Sequence, residues 1–133
     1  MMKFNIYILQ KKAEPVYQQA MDEYLKRLQA YGNVSVNYIK NDKQMKKKVE
    51  KSGKKFLVVP GKKSKTSPEF AETIKDLSVQ GESELNFYIG NISEPLEQLN
   101  ISSFSMNTSL TVVVLLEQIY RAYRIINNQP YHK

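Results

Sequence analysis

The carboxyl end of the chain carries the side chains best suited to chemistry. Arg121, Tyr131 and His132 lie there, and His132, next to the last residue, is the only histidine. An arginine can hold a phosphate, and an imidazole has an ordinary pKa of about 6.5, which suits proton transfer near neutral pH. Chain ends usually fray, so an aromatic residue, a histidine and a proline here suggest a tail with a function. The alternative is an ordinary packed helix followed by an incidental tail.

A helix is predicted immediately before this tail. Apolar residues recur at the i, i+3, i+4, i+7 spacing of one helical face, and polar residues occupy the opposite face. Pro130 is expected to stop the helix. The spacing of Glu117 and Arg121 also permits an ordinary ion pair on a helix surface. The apolar positions are Val112, Leu115, Leu116, Ile119, Tyr123 and Ile126, and the polar ones are Glu117, Arg121, Arg124 and Asn128.

Alternating strands and helices are predicted along the rest of the chain. Strands are expected at 3–9, 34–39, 56–59, 85–89 and 102–106, and helices at 13–28, at 42–52 and from an N-cap at Ser67. Gly53 is expected to end the second helix, and Gly90 to follow the fourth strand. Strands separated by helices predict an α/β domain with a mainly parallel sheet and helices on both faces.

Composition limits the classes of protein that fit. The 133 residues suffice for one domain, 1–133, with a real core. The absence of cysteine excludes disulfides and cysteine-based zinc sites, and we predict no metal site. No apolar run reaches the roughly 20 residues of a membrane span, and the start lacks the apolar region of a signal peptide. We therefore expect a soluble, cytoplasmic protein without a membrane partner.

Positive charge is concentrated in the middle of the chain. The formal net charge is +7, and lysines crowd the stretch between Lys40 and Lys65. Like charges at this density repel one another, and phosphates relieve that repulsion, so we predict contact with an RNA backbone. The alternative is a solvated, solubilising surface. The lysines predicted to contact RNA are Lys46, Lys47, Lys48, Lys54 and Lys55.

The C-terminal segment resembles the ribosomal RNA large-subunit methyltransferase H family, which belongs to the knotted SPOUT methyltransferases. Chains of that family end in an E-x-x-Y-R-A…Y-H pattern. Shorter similarities follow in family order, among them Pro60-Gly61-Lys62 and Ile89-Gly90. The matching C-terminal residues are Glu117, Tyr120, Arg121, Ala122, Tyr131 and His132.

The resemblance implies a fold, an assembly and a reaction. It implies a C-terminal trefoil knot and a homodimer whose cofactor pockets lie at the subunit interface. The implied reaction is methylation of N3 of a pseudouridine in 23S ribosomal RNA, on the ribosome, with S-adenosylmethionine as the methyl donor. The implied catalytic residues are Arg121, Tyr131 and His132, and the implied cofactor-binding residues are Leu57, Gly90, Ser103, Phe104, Ser105 and Met106.

Several positions depart from the family pattern, and they leave two functions open. The family motif G-G-x-x-G is replaced by a single glycine, Gly90, followed by Asn91, and without the family Gly90 reads as an ordinary turn glycine. The Pro-His pair and the arginine expected near residues 107–112 are absent. One function is an active S-adenosylmethionine-dependent RNA methyltransferase. The other is a catalytically impaired relative that serves as an RNA-binding or regulatory protein.

Overall fold

The computed structural model of the protein describes residues 1–131, so His132 and Lys133 lie outside the described part. Five strands alternate with four helices in this part of the chain. The strands are β1 (Met2–Leu9), β2 (Gly32–Ile39), β3 (Lys54–Val58), β4 (Glu84–Ile89) and β5 (Glu97–Leu99). The helices are α1 (Pro15–Leu28), α2 (Asp42–Val49), α3 (Ser67–Val79) and α4 (Thr108–Ile126).

The strands form one sheet in the order β2-β1-β4-β3-β5, and every neighbouring pair is parallel. This confirms the predicted α/β class and the parallel sheet. In a parallel sheet all carboxyl ends meet at one edge, where ligands of α/β proteins usually bind. A ligand site is therefore expected among the residues that follow β3, β4 and β5.

Helices cover both faces of the sheet, as predicted, but unequally. On one face α1, α3 and α4 share one apolar cluster with the even-numbered residues of β1, and Phe4, Ile6 and Leu115 are fully buried in it. The other face is covered by α2, whose Met45 packs in a smaller apolar cluster. That cluster contains Tyr7, Ile39, Met45, Leu57 and Tyr88.

Three sequence predictions about local structure were wrong. Residues 102–106 form no strand, and the fifth strand is β5, whose polar sequence gives no strand pattern because only Leu99 is buried. The N-cap of α3 is Thr66, since its hydroxyl accepts from Glu69 N while the Glu69 carboxylate accepts from Thr66 N. The second helix, α2, ends at Val49 with Glu50 as its C-cap, so Gly53 does not end it directly. The start of α4 was not predicted; it lies at Thr108, where Asn107 caps the helix through Leu110 N.

The loop at residues 59–65 is hydrogen-bonded to the end of β5 and to the segment that follows it. Val59 N donates to Leu99 O over 3.2 Å, Gly61 N to Ser102 O over 3.1 Å, and Lys65 N to Asn100 O over 2.8 Å. A Cβ at Gly61 would overlap the side chain of Asn100, so the two segments meet closely only at a glycine. The C-terminal knot stays a prediction.

A buried polar seam crosses the amino-terminal half of the α2 face. Asn5 donates to Asn86 over 3.0 Å and to Glu84 over 2.6 Å, and it accepts from Ser35 over 3.1 Å. Asn86 donates in turn to the carbonyl of Ser52 over 3.0 Å. Asn5 and Asn86 are 3% and 0% exposed, so these bonds are what allows two amides to be buried.

We expect Asn86→Ala to lower the free energy of unfolding by about 1–3 kcal/mol, because it leaves Asn5 and the Ser52 carbonyl without their partner in the sheet. Denaturant unfolding followed by circular dichroism measures this change. Asn33→Ala, at an exposed position of the edge strand β2, is the matched control. Equal effects of the two substitutions would contradict a stabilising seam.

Candidate functional site

An open cavity of about 220 Å³ lies at the carboxyl edge of the sheet. The ends of β3 and β4 form its floor, the segment after β5 forms one wall, and the first turn of α4 forms another. Its lining is mixed, with aliphatic side chains beside amide and hydroxyl groups. The lining residues are Val58, Val59, Pro60, Ile89, Gly90, Asn91, Ile101, Ser102, Phe104, Met106, Thr108 and Thr111.

Gly90 shapes the floor of this cavity. Its φ of +130° is rarely adopted by residues with a side chain, and a Cβ would lie 2.7 Å from Leu9 Cβ. β4 can therefore turn away from β1 only through a glycine at this position. The same property leaves backbone groups of Gly90 open to a ligand in the cavity.

The structure brings together some of the predicted cofactor-binding residues. Gly90, Phe104 and Met106 line the cavity, and Phe104 is 79% exposed. Leu57 does not line it, because its side chain packs with Tyr88 beneath α2, on the other face of the sheet. Ser103 and Ser105 are exposed neighbours of the lining residues.

Sequence reasoning missed the lining residues Val58, Val59 and Asn91 at the strand ends and Thr108 and Thr111 in the first turn of α4. The signal for the first three was available, since they end or directly follow apolar runs that were predicted as parallel strands. The two threonines could not be found in that way, because α4 was predicted only from its apolar pattern.

A second group of candidate residues gathers around the carboxylate of Glu117. Glu117 Oε2 accepts from Arg121 Nη2 over 2.8 Å and from the hydroxyl of Tyr131 over 2.9 Å. Its Oε1 accepts from Gln118 Nε2 over 2.7 Å. The predicted ion pair of Glu117 and Arg121 is thus present, with side chains only 18% and 24% exposed, and Tyr131 completes a three-residue cluster.

The phenol of Tyr131 is held in its protonated form. Its pKa is raised by burial, by the hydrogen bond to Glu117 and by Tyr24. The ring stands edge-on to Tyr120, with centroids 4.9 Å apart, and Arg121 lies over it at 4.8 Å. The hydrogen bond to Glu117 also raises the pKa of Arg121, so this guanidinium stays charged.

The tail folds back on α4 up to Tyr131. Asn128 adopts a φ of +52°, which reverses the chain after the helix ends at Ile126. Arg124 Nη2 then donates to Pro130 O over 2.9 Å, and Tyr31 donates to Gln129 over 2.7 Å. Residues 127–130 are nevertheless exposed and only Tyr131 is partly buried, so the tail is solvated up to its contact with Glu117, while the prediction for His132 concerns a residue outside the described part.

The cavity and the Glu117 cluster are separate within one chain. Thr111 lines the cavity, whereas Arg121 lies ten residues further along α4, about 15 Å at the rise of an α-helix. Arg121, Tyr131 and Glu117 are not among the lining residues. A single copy of the chain does not bring the two predicted halves of the site together.

The lysines predicted to contact RNA lie around α2 and β3. Lys46 and Lys47 are exposed on α2, and Lys48 is partly buried there. Lys54 donates to Glu97 over 2.8 Å and also lies over Phe56, so a phosphate would compete with Glu97 for it. Lys55 is partly buried in β3.

Within residues 1–131 no three His, Cys, Asp or Glu side chains converge in a way that could hold a metal ion. No helix in the same range is both long and apolar enough to cross a membrane.

A cavity at the carboxyl edge of a parallel α/β sheet is the usual place of a ligand site in proteins of this class. The family described as "Predicted SPOUT methyltransferase" matches residues 2–132. The chain is 39% identical over 133 residues to ribosomal RNA large subunit methyltransferase H 1 of Thermoanaerobacter sp., a match that covers 99% of this chain and 100% of the relative. It is 32% identical to ribosomal RNA large subunit methyltransferase H of Bacillus pumilus, again over 99% and 100% of the two chains.

The chain belongs to the SPOUT methyltransferase family. Because relatives named as methyltransferases match it over its whole length, an enzyme is favoured over the RNA-binding alternative. The resemblance first seen in the C-terminal motif is thereby confirmed.

We expect Glu117→Gln to release Tyr131 and Arg121 from their common partner. Loss of hydrogen bonds to a charged, largely buried carboxylate should lower the free energy of unfolding by about 1–2 kcal/mol. The pKa of Tyr131 should fall toward its ordinary value, which alkaline titration of phenol absorbance measures in this variant and in Tyr131→Phe.

Glu23→Gln is the control, because Glu23 and Arg27 form a pair of the same spacing on the exposed surface of α1. If the control variant lost as much stability as Glu117→Gln, the cluster would be an ordinary surface pair.

Proposed function

We propose that the protein transfers a methyl group from S-adenosylmethionine to N3 of a pseudouridine in 23S ribosomal RNA. The observation that supports this most is the cavity at the carboxyl edge of the sheet in a member of a methyltransferase family. The methyltransferase H relatives are named for action on large-subunit ribosomal RNA. S-adenosylmethionine supplies an electrophilic methyl group when it is bound.

The lining of the cavity fits an adenosine-like cofactor. Gly90 leaves the β4 edge open at the backbone, and Ile89 and Ile101 offer apolar contacts to a base. The hydroxyl groups of Thr108 and Thr111 and the amide of Asn91 offer polar partners. At about 220 Å³ the cavity is smaller than the roughly 300–1,000 Å³ typical of ligand pockets, which is consistent with one completed by further protein or RNA.

Methyl transfer depends chiefly on alignment, because the acceptor atom, the methyl carbon and the leaving sulfur must lie in line. The N3 proton of the acceptor must also leave. Tyr131 is a poor proton acceptor at neutral pH because its phenol is held protonated, so we assign it and Arg121 to hydrogen bonding and charge stabilisation. His132 remains the candidate proton acceptor, on the ordinary pKa of an imidazole.

We propose a homodimer in which the tail of one subunit completes the cavity of the other. The separation of about 15 Å along α4 supports this, because one chain keeps its own Arg121 away from its own cavity. Phe104 and Leu110, which are 79% and 36% exposed beside the cavity and the start of α4, offer apolar surface for such a contact.

Substrate RNA is proposed to contact the lysines of α2 and β3. The net charge of +7 attracts a polyanion, and Lys46, Lys47, Lys48 and Lys55 can each neutralise a phosphate. Such contacts position an RNA without reading its sequence.

We expect wild-type protein to bind S-adenosylmethionine in isothermal titration, and Gly90→Val to weaken that binding at least tenfold. The new side chain would strain the backbone and collide with Leu9 at the cavity floor. Thermal unfolding of the variant serves as the control for folding. Absence of cofactor binding by the wild type would instead favour the non-enzymatic RNA-binding reading.

Deletion of residues 131–133 should abolish methyl transfer to ribosomes that lack the modification, while cofactor binding persists. Arg121→Ala should slow turnover about a hundred- to a thousandfold if the guanidinium stabilises charge in the transition state. The measurement is transfer of a tritiated methyl group.

Mixing the truncated protein with Gly90→Val after mild unfolding and refolding should restore part of the activity, since each mixed dimer retains one intact cavity and one intact tail. Two inactive variants that stay inactive when mixed would refute a site shared between subunits.

A further inference from the structure

The loop at residues 59–65 presents a second group of lysines, and these lie beside the cavity. Val59 and Pro60 line the cavity, and Lys62, Lys63 and Lys65 follow directly, all exposed. Two or three residues of chain span at most about 11 Å, so the backbones of Lys62 and Lys63 lie within that distance of the lining residue Pro60.

α2 and its lysines occupy a different position. Met45 of α2 packs with Tyr7 and Leu57, on the face of the sheet opposite to α3 and α4. Lys46 and Lys47 are exposed, Lys48 is partly buried, and Lys46 lines a small separate cavity with Ile92 and Glu94. Lys62 and Lys63 follow the lining residue Pro60 by two and three positions, and no α2 lysine is as close in the chain to a residue that lines the main cavity.

The loop holds its lysines on a fixed backbone. Three backbone hydrogen bonds join residues 59, 61 and 65 to the segment 99–102. Gly61 packs directly on Asn100, whose amide donates to Val59 O over 2.9 Å, and the capping box at Thr66 ends the loop. These contacts hold the loop backbone in place, so an anion would immobilise chiefly the lysine side chains.

The ammonium groups of the loop have no carboxylate partner within residues 1–131. The nearest acid along the chain is Glu69. Its pKa is lowered mainly by hydrogen bonds from Thr66, and Lys65 contributes least. The Glu69 carboxylate serves the cap of α3 and leaves the three positive charges available to an external anion.

We propose that Lys62, Lys63 and Lys65 form a phosphate-binding loop that holds the RNA backbone next to the acceptor nucleotide. This rests on the proposed function and adds to it the contact that positions the substrate. Three cations with no acid among them, on a loop whose first residues line the cavity, can bind successive phosphates of a single strand.

The test compares two triple variants that remove the same charge. One is K62Q/K63Q/K65Q, and its matched control is K3Q/K26Q/K75Q, at three exposed lysines that the proposed site does not use; each removes three positive charges from the net +7. Single-turnover methyl transfer is measured at saturating ribosomal substrate. The loop variant should lose about ten- to a hundredfold in this saturated rate because the acceptor is misplaced, whereas the control variant should keep it. K62R/K63R/K65R should restore the rate, since the charges are retained.

Loss of saturated rate in the control variant and not in the loop variant would overturn the proposal, as would rates within twofold for the wild type and both glutamine variants. The salt dependence of RNA binding, measured by fluorescence anisotropy, tests the lysine loop independently of methyl transfer. Loss of three contacts should reduce the magnitude of the log–log slope by about 2 for the loop variant. An unchanged slope refutes the loop. If the wild-type protein transfers no methyl group but the loop variant still has the reduced slope, the proposed reaction is refuted and the phosphate-binding loop is not.

Discussion

The site depends on the backbone hydrogen bonds between the loop at 59–65 and the segment at 99–102. These bonds join the end of β3 to the chain that leads into α4, and so they fix two walls of the cavity relative to each other. They also explain Gly61, because a Cβ at this position would overlap the side chain of Asn100. A cavity, a rigid lysine loop and the start of the C-terminal helix all follow from one contact between distant parts of the sequence.

Local patterns were sufficient to predict β1, β3 and β4 and the buried faces of the helices. β5 was missed because two of its three residues are polar and give no strand pattern. It joins the sheet only by pairing with β3, which is distant in sequence. Leu57 illustrates a related failure: neighbouring residues of one strand face opposite sides of the sheet, and only the register decides which of them reaches the cavity. The return of Tyr131 to Glu117 required an unusual φ at Asn128, which residue type alone did not reveal.

The departures from the family pattern are structurally well accommodated. Where a Pro-His pair was expected, Asn107 caps α4 and Thr108 enters the lining of the cavity. The short chain is shared with a relative, because the Thermoanaerobacter protein is matched over its entire length in 133 residues, whereas the Bacillus pumilus alignment extends over 160. Shortening is therefore a feature of more than one protein in this family.

The polar seam at Asn5 and Asn86 sets the register between β1 and β4, and through it the position of a cavity that the seam does not contact. A slip of one residue of β4 against β1 would turn Asn86 toward the larger apolar core and move Phe87 to the face that α2 covers. It would also displace the end of β4 by about 3.3 Å, the length of one residue in a strand, and carry Gly90 away from Leu9. The seam lies at the amino-terminal half of the sheet and the cavity at the carboxyl edge. The shape of the cavity therefore depends on hydrogen bonds in the amino-terminal half of the same strands.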